Sequence, residues 1–138
     1  MSLKNLIVKN YMIKVGNFPI IKSNQILKEA VDQMDKYKLG IVCIINDIGK
    51  LIGITTDGDL RRAILKSQKP LSAILVDDAI KYSPKTPLTI SGDDTLIDSI
   101  NLMNDKQIWD LPVLNKNNDL IGLLHLHTAI KNYIELNK

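Results

Sequence analysis

The 138-residue sequence is poor in aromatic residues and cysteine, with one Trp, one Phe, four Tyr and a single cysteine, Cys43. A lone cysteine cannot form an internal disulfide, which argues against a disulfide-rich secreted fold. The longest apolar run, residues 39–45 with Gly40 inside it, is too short to cross a bilayer. The polar first residues lead into no apolar segment of the kind a signal peptide needs. We therefore expect a soluble cytoplasmic protein with no membrane partner.

Neither sign of charge dominates, because 18 Lys and Arg face 15 Asp and Glu, a net charge of +3. The basic residues are spread along the chain and do not form one block. Nucleic-acid binding usually requires a concentrated basic surface with aromatic platforms, so no nucleic-acid partner is expected. The apolar fraction, 45%, is typical of a folded globular protein.

A duplicated segment organises the chain. Residues 45–54 align without a gap on residues 114–123, so that Gly122 lies 69 positions after Gly53. The same offset superposes apolar residues of a helical pattern, namely Leu27 on Leu96, Val31 on Ile100 and Met34 on Met103. One ungapped register across this length indicates two copies of a single unit.

Each copy predicts the order β-α-β-β-α, from a short extended piece, then apolar residues at helical spacing, then two apolar strands around a turn that begins with Asn46 or Asn115, and a closing helix. The fold class is therefore α+β (α/β), with two pseudo-symmetric units. We place the first unit at residues 12–69 and the second at residues 77–136, with a lead-in at 1–11 and a linker at 70–76. A unit of this size cannot cover both faces of its sheet, so we expect the copies to pack sheet to sheet and leave ligand clefts.

Residues 53–59, Gly-Ile-Thr-Thr-Asp-Gly-Asp, run from a strand into a helix. We expect Gly53 to permit a close backbone approach and Gly58 to relax the turn. The helix start offers free backbone N–H groups to an anion. There Thr56 can donate to a phosphate and Asp59 can accept from ribose hydroxyls. Thr and Asp are also common helix caps, so a purely structural interpretation stays open.

Charged neighbours extend this motif. Arg61 and Arg62 can add phosphate contacts, since Arg is suited to bidentate binding. A metal role for the pair Asp57 and Asp59 is disfavoured, because nothing nearby supplies further ligands.

The stretch from Gly53 to Asp59 resembles the ribose- and phosphate-binding signature of CBS domains, and the duplication resembles their paired arrangement. Residues 56–62, Thr-Asp-Gly-Asp-Leu-Arg-Arg, are similar to the CBS pair at the C-terminal end of bacterial D-arabinose-5-phosphate isomerases, which supply Kdo synthesis. Residues 12–19 and the Leu-His-Leu-His of 124–127 agree with that subfamily. The predicted ligand-binding residues are Thr56, Asp59, Gly53, Gly58, Asp57, Arg61, Ile20, Gly40, Ile41, Trp109, His125 and His127.

The resemblance implies a regulatory module with no catalytic residue, cofactor or metal of its own. The expected effector is CMP-Kdo or an adenine nucleotide (AMP, ADP or ATP). The expected partners are a second copy in a homodimer and a sugar-isomerase (SIS-type) domain. No part of this sequence corresponds to that catalytic domain. An assembly module without an effector and the CBS pair of a sugar nucleotidyltransferase are the alternatives.

The second copy departs from the ligand signature. By the offset of 69, Thr56 maps to His125 and Asp59 maps to Thr128. The carboxylate suited to a ribose is thus absent there, and we expect the nucleotide site in the first copy.

His125 and His127 are expected to point to opposite faces at a strand end and to have no evident carboxylate partner. Without a Cys or a third His, a zinc site is disfavoured and a phosphate contact is favoured. Trp109 is the offset partner of Gly40. It can stack on a base from the cleft, but a place in the core between the two copies is favoured.

Overall fold

The computed structural model describes residues 6–84 and 86–136 of the chain. Its strands are β1 (Ile13–Lys14), β2 (Ile20–Lys22), β3 (Ile41–Ile45), β4 (Leu51–Thr56), β5 (Ile90–Ser91), β6 (Asp110–Leu114) and β7 (Leu120–His125). Its helices are α1 (Leu27–Tyr37), α2 (Asp57–Lys66), α3 (Leu71–Leu75), α4 (Leu96–Lys106) and α5 (Leu126–Leu136). Short 3₁₀ helices lie at Val8–Asn10 and Ala79–Tyr82. Within the described ranges, no helix has the length and apolarity that a membrane span requires.

The sequence repeat is a structural repeat. The bounds of β3, β4 and α1 each recur 69 residues later in β6, β7 and α4. Both hairpins shift register at the same place, between Ile44 and Ile45 and between Val113 and Leu114. The predicted β-α-β-β-α order of each copy and the mixed α/β class are confirmed.

The first compact unit comprises residues 16–87. Its sheet has the order β2-β3-β4, with β2 parallel to β3 and β3 antiparallel to β4. Apolar residues recur every three or four positions along α1 and so share one face of the helix. That face is buried through Leu27, Ala30 and Met34. The core also takes in Val42, Ile44, Ala63, Ile74 and Ala79.

The segment 70–76, expected to be a linker, is part of this unit. It forms α3, and Ile74 on that helix is 1% exposed. The chain then continues through Ala79, which is completely buried, into the 3₁₀ helix beside β4. The connection between the copies is thus packed structure.

The second compact unit combines residues 6–15 with residues 88–136 of the described chain. Its sheet has the order β1-β7-β6-β5, and β1 pairs antiparallel with β7 through Ile13 and Leu123. The predicted lead-in, in its described part, supplies Leu6, Val8 and Tyr11 to this core. The Leu6 carbonyl accepts a hydrogen bond from Leu96 N at 2.8 Å, which fixes the segment at the start of α4.

Candidate functional site

Thr56 and Asp59 interlock where β4 passes into α2. Thr56 Oγ1 accepts from Asp59 N at 3.2 Å, and Asp59 Oδ2 accepts from Thr56 N at 2.9 Å. The Thr56 hydroxyl also donates to Asp59 Oδ2 at 3.0 Å. This reciprocal arrangement is a capping box, which satisfies N–H groups that a helix start otherwise leaves free. The structural interpretation of the Thr-Asp pattern is therefore correct, whatever else the two residues do.

The second carboxylate oxygen of Asp59 is available for a further contact. Asp59 Oδ1 accepts from Arg62 Nη2 at 2.8 Å, and the Asp59 side chain is 14% exposed. A carboxylate oxygen accepts more than one hydrogen bond, so Oδ1 can also accept from a ligand hydroxyl. Asp59 and Arg62 line the same open cavity, whereas Arg61 is exposed and does not line it.

Gly58 lies within α2 and leaves space for the Arg62 guanidinium, so it does not relax a turn. Its backbone is helical, and the glycines with positive φ are Gly16 and Gly49 among the residues that the structure describes. A Cβ at Gly58 would lie 3.2 Å from the guanidinium nitrogens of Arg62. The missing side chain therefore makes room for the arginine above the helix start.

Gly53 does permit a close approach, and the groups that approach it are the side chains of Ile80 and Ser83. A Cβ at Gly53 would lie 2.5 Å from Ile80 Cδ1 and 2.6 Å from Ser83 Oγ. Ser83 Oγ accepts from Ile54 N at 2.8 Å, which ties this segment to the edge of β4. Gly53 thus positions residues 80–83 beside the candidate site.

Other predicted residues hold the strand ends together. The Gly40 carbonyl accepts from Asp57 N at 3.0 Å, and a side chain at Gly40 would overlap the Asp57 carboxylate. Ile41 lies opposite Thr56 in the β3–β4 register and is 1% exposed. Ile20 is half-buried on β2, opposite Cys43.

The second copy carries a different pair at the corresponding position. His125 Nδ1 lies 2.7 Å from Asp110 Oδ1, with side chains 23% and 10% exposed. The hydrogen bond to Asp110 raises the pKa of His125 above its ordinary value, and partial burial opposes that rise. The expectation that neither histidine has a carboxylate partner is wrong for His125. The repeat could have predicted this pair. Ile41 and Thr56 are paired across β3 and β4, and the residues 69 positions later are Asp110 and His125.

The neighbours of His125 differ from their predicted positions. His127 lies in α5, and its ring centroid is 6.5 Å from that of His125, so the opposite-face expectation is wrong. Trp109 is 67% exposed and does not belong to the core of its own unit. The Trp109 carbonyl accepts from Leu126 N at 2.9 Å, as Gly40 does from Asp57 in the first copy. No three His, Cys, Asp or Glu side chains of the described ranges are grouped to hold a metal ion.

These two β-α-β-β-α copies match a known family. The model of the CBS domain matches residues 8–66 and again residues 76–135. The chain belongs to the CBS domain family. It is a tandem CBS pair, as residues 53–59 and the repeat suggested.

Curated relatives of the CBS pair are longer proteins. An uncharacterized protein of Helicobacter pylori (strain ATCC 700392 / 26695) is 29% identical over 129 residues, covering 93% of this chain and 38% of that protein. Arabinose 5-phosphate isomerase KdsD of Francisella tularensis is 28% identical over 128 residues, covering 90% of this chain and 36% of that protein. The CBS pair thus spans less than two-fifths of each relative.

Solved structures show the same CBS-pair fold. The crystal structure of CBSX2 in complex with AMP, a CBS-pair protein of Arabidopsis thaliana, has a TM-score of 0.84 and 21% sequence identity to this chain. The match covers 97% of this chain and 100% of that one. At this identity the likeness establishes the fold, and the bound AMP is a property of CBSX2.

Proposed function

We propose that this CBS pair is a regulatory module that binds a nucleotide or nucleotide-sugar effector and controls a sugar-phosphate isomerase domain outside this chain. The observation that carries the proposal is the Thr56–Asp59 pair, because Asp59 lines an open cavity together with Arg62, which donates to Asp59 Oδ1. A carboxylate fixed in this way can accept from sugar hydroxyls, while the helix start and Arg62 favour an anion.

Two comparisons support the proposal. A CBS-pair structure of the same fold contains AMP, which favours an adenine nucleotide as the effector class. The likeness to arabinose 5-phosphate isomerase KdsD supports an isomerase of that kind as the controlled domain. The effector would act by binding one arrangement of the module more tightly than another.

Thermal unfolding with candidate effectors tests the proposal. AMP, ADP, ATP, CMP, CMP-Kdo and S-adenosylmethionine are added in turn to the chain and to Asp59→Ala. A ligand at about 100 times its Kd stabilises the native state by about 2.7 kcal/mol, so an effector raises Tm clearly. Asp59→Ala should abolish that rise. Asp98→Ala is a matched control, because Asp98 occupies the first turn of α4, where Thr95 caps its N–H as Thr56 caps that of Asp59. No rise with any of the six would contradict the proposal.

An assembly role is the second candidate, and exposed apolar side chains favour it. Ile64 and Leu65 on α2 are 46% and 73% exposed, and Ile130 and Ile134 on α5 are 41% and 53% exposed. Apolar helix faces of this kind are typical of association surfaces, and twofold dimers are the commonest oligomers. In this role the module would hold subunits together as a homodimer.

Light scattering separates the two roles. A dimer that Leu65→Glu converts to monomer, with no Tm response to any effector, favours assembly. Lys66→Glu changes the neighbouring charge without removing an apolar side chain, so it serves as the control and should leave the dimer intact. A monomer at all concentrations contradicts the assembly role.

A further inference from the structure

Another open cavity lies in the second compact unit, beside the turn that joins β6 to β7. Its volume is about 440 Å³, within the range of small-molecule sites, about 300–1,000 Å³. The turn is at the opposite end of β7 from His125, so this cavity is separate from the strand end that corresponds to Thr56. The side chains that give it its chemistry are those of Lys9, Ser91, Asp93 and Lys116.

Hydrogen bonds within the unit hold the walls of this cavity in place. Lys9 N donates to the Gly92 carbonyl at 3.0 Å, which fixes the lead-in segment beside the approach to α4. Asn115 Oδ1 accepts from Asn117 N and Asp119 N, both at 2.9 Å, which ties the turn together. The backbone that carries the lysine and the backbone of the turn are therefore positioned before any ligand arrives.

The first copy carries an ion pair at the equivalent turn. Lys22 Nζ lies 3.7 Å from Asp47 Oδ1. The residues 69 positions later are Ser91 and Lys116, so the second copy has a cation where the first has a carboxylate. In both copies the last strand residue before the helix donates its N–H to the side chain three residues ahead. The two sites thus share their backbone and differ in their side chains.

Three side chains of this cavity have hydrogen-bonding capacity left for a ligand. Lys116 has no ion pair with any residue in the ranges 6–84 and 86–136. Lys9 Nζ uses one N–H for Asp93 Oδ1, at 3.3 Å, and has two more. Ser91 Oγ accepts from Asp93 N at 3.1 Å, which leaves its own proton to donate. Two ammonium groups against one carboxylate leave a surplus of positive charge, which favours an anionic ligand.

We propose that this cavity binds a phosphorylated sugar, with the phosphate at Lys9, Lys116 and Ser91 and with sugar hydroxyls at Asp93. A phosphate monoester carries nearly two negative charges at neutral pH, which matches the two ammonium groups. A carboxylate accepts from hydroxyl groups, so Asp93 selects the sugar. The choice of a sugar phosphate rests on the proposed function, because it is the substrate class of the isomerase domain that the module would control. The module would then sense that substrate class apart from its effector.

Calorimetric titration of the chain with arabinose 5-phosphate, arabinose and inorganic phosphate at one ionic strength tests the proposal. We expect the sugar phosphate to bind at least about tenfold more tightly than arabinose or phosphate, because only it contacts both the lysines and the carboxylate. Lys9→Gln and Lys116→Gln should each weaken its binding about fivefold. Lys106→Gln is the matched control, because it removes an exposed charge from α4 of the same unit, outside the cavity, and should leave the affinity unchanged.

The combined substitution of Ser91→Lys and Lys116→Asp transfers the ion pair of the first copy to the second. The first copy holds that pair on an equivalent backbone, so the double variant should keep the native Tm and lose the binding of arabinose 5-phosphate. Native affinity in the folded double variant would overturn the proposal. Equal affinities for arabinose 5-phosphate and inorganic phosphate would overturn it as well, because the sugar would then not be recognised.

The proposal and the function on which it rests fail separately. Asp59→Ala removes the carboxylate of the effector site and should keep its affinity for arabinose 5-phosphate. If no sugar phosphate binds while an effector still raises Tm, the cavity proposal fails and the regulatory function stands. If arabinose 5-phosphate binds through Lys9 and Lys116 while no effector raises Tm, the sugar-phosphate site stands and nucleotide sensing fails.

Discussion

His125 and Asp110 face each other across the β6–β7 hairpin, with 2.7 Å between Nδ1 and Oδ1. In the first copy the same strand position pairs Thr56 with Ile41. The duplication has therefore placed a titratable pair where its other copy has a helix cap and an apolar residue. We expect the two copies to differ in their response to pH.

Asp110→Asn should make the stability of the chain less dependent on pH. The bond to Asp110 raises the pKa of His125 in the folded state above its unfolded value of 6.5. The contribution is therefore fully present below that value and is lost as pH rises through the folded pKa. The unfolding free energies of the native chain and Asp110→Asn should differ more at pH 6 than at pH 9. Asp105→Asn, an exposed carboxylate of the same copy, is the control. A difference that does not change with pH would contradict this account.

Thr56→Ala and Thr95→Ala should both destabilise the chain through loss of a helix cap, and they should differ in their effect on binding. Each threonine caps a helix by accepting from the N–H three residues ahead, at 3.2 Å in both cases. Loss of such a cap costs about 1 kcal/mol of unfolding free energy in chemical denaturation. Only Thr56→Ala should also weaken the effector, because it removes a hydroxyl from the candidate site together with its hydrogen bond to Asp59 Oδ2. Equal loss of effector affinity in both variants would rule out a local binding role for Thr56.

Ile74→Ala should destabilise the first copy as a core mutation does. Ile74 is 1% exposed, and its truncation is expected to cost about 2–5 kcal/mol. Leu71→Ala, on the same short helix but 53% exposed, should change stability by less than about 0.5 kcal/mol. Urea unfolding measures both. Similar small changes would mean that α3 is a mere connector.

Tyr82→Phe should remove a tyrosine ionisation that occurs near pH 12 in the native chain. Burial and the hydrogen bond to Asp77 raise the pKa of Tyr82 to about 12. Because the neutral form is favoured, this stabilisation is present below pH 10 and is lost as pH rises through about 12. Absorbance titration of tyrosinate should show the late step in the native chain and in Tyr37→Phe, whose hydroxyl donates to the Gly16 carbonyl. Persistence of the step in Tyr82→Phe would assign it to another tyrosine.

The repeated core of the fold could be predicted because its signals are local. Apolar spacing in α1 and the polar turn that begins at Asn46 lie within a few residues of the structure that they specify. The roles of Leu6 and Ile74 could not be predicted in the same way. Leu6 bonds to Leu96, and such a distant partner leaves no trace in a short sequence window.

The candidate site also combines local contacts, which the sequence predicts, with contacts between residues that are distant in the sequence. Thr56 and Asp59 are three residues apart, so their pairing could be expected from the sequence alone. Lys66, Lys69 and Lys81 come together only after the chain between them folds back. In the sequence these basic residues are dispersed, whereas in the structure they line one cavity.

The order of the two units along the chain affects their synthesis. Residues 6–15 leave the ribosome before the rest of the CBS pair, yet β1 pairs with β7, which is made more than a hundred residues later. Residues 16–87 contain all the strands of their own sheet and can fold while the rest is being translated. Residues 6–15 must therefore remain without their partner strand, with Leu6, Val8 and Tyr11 accessible to chaperones, until the β6–β7 hairpin emerges.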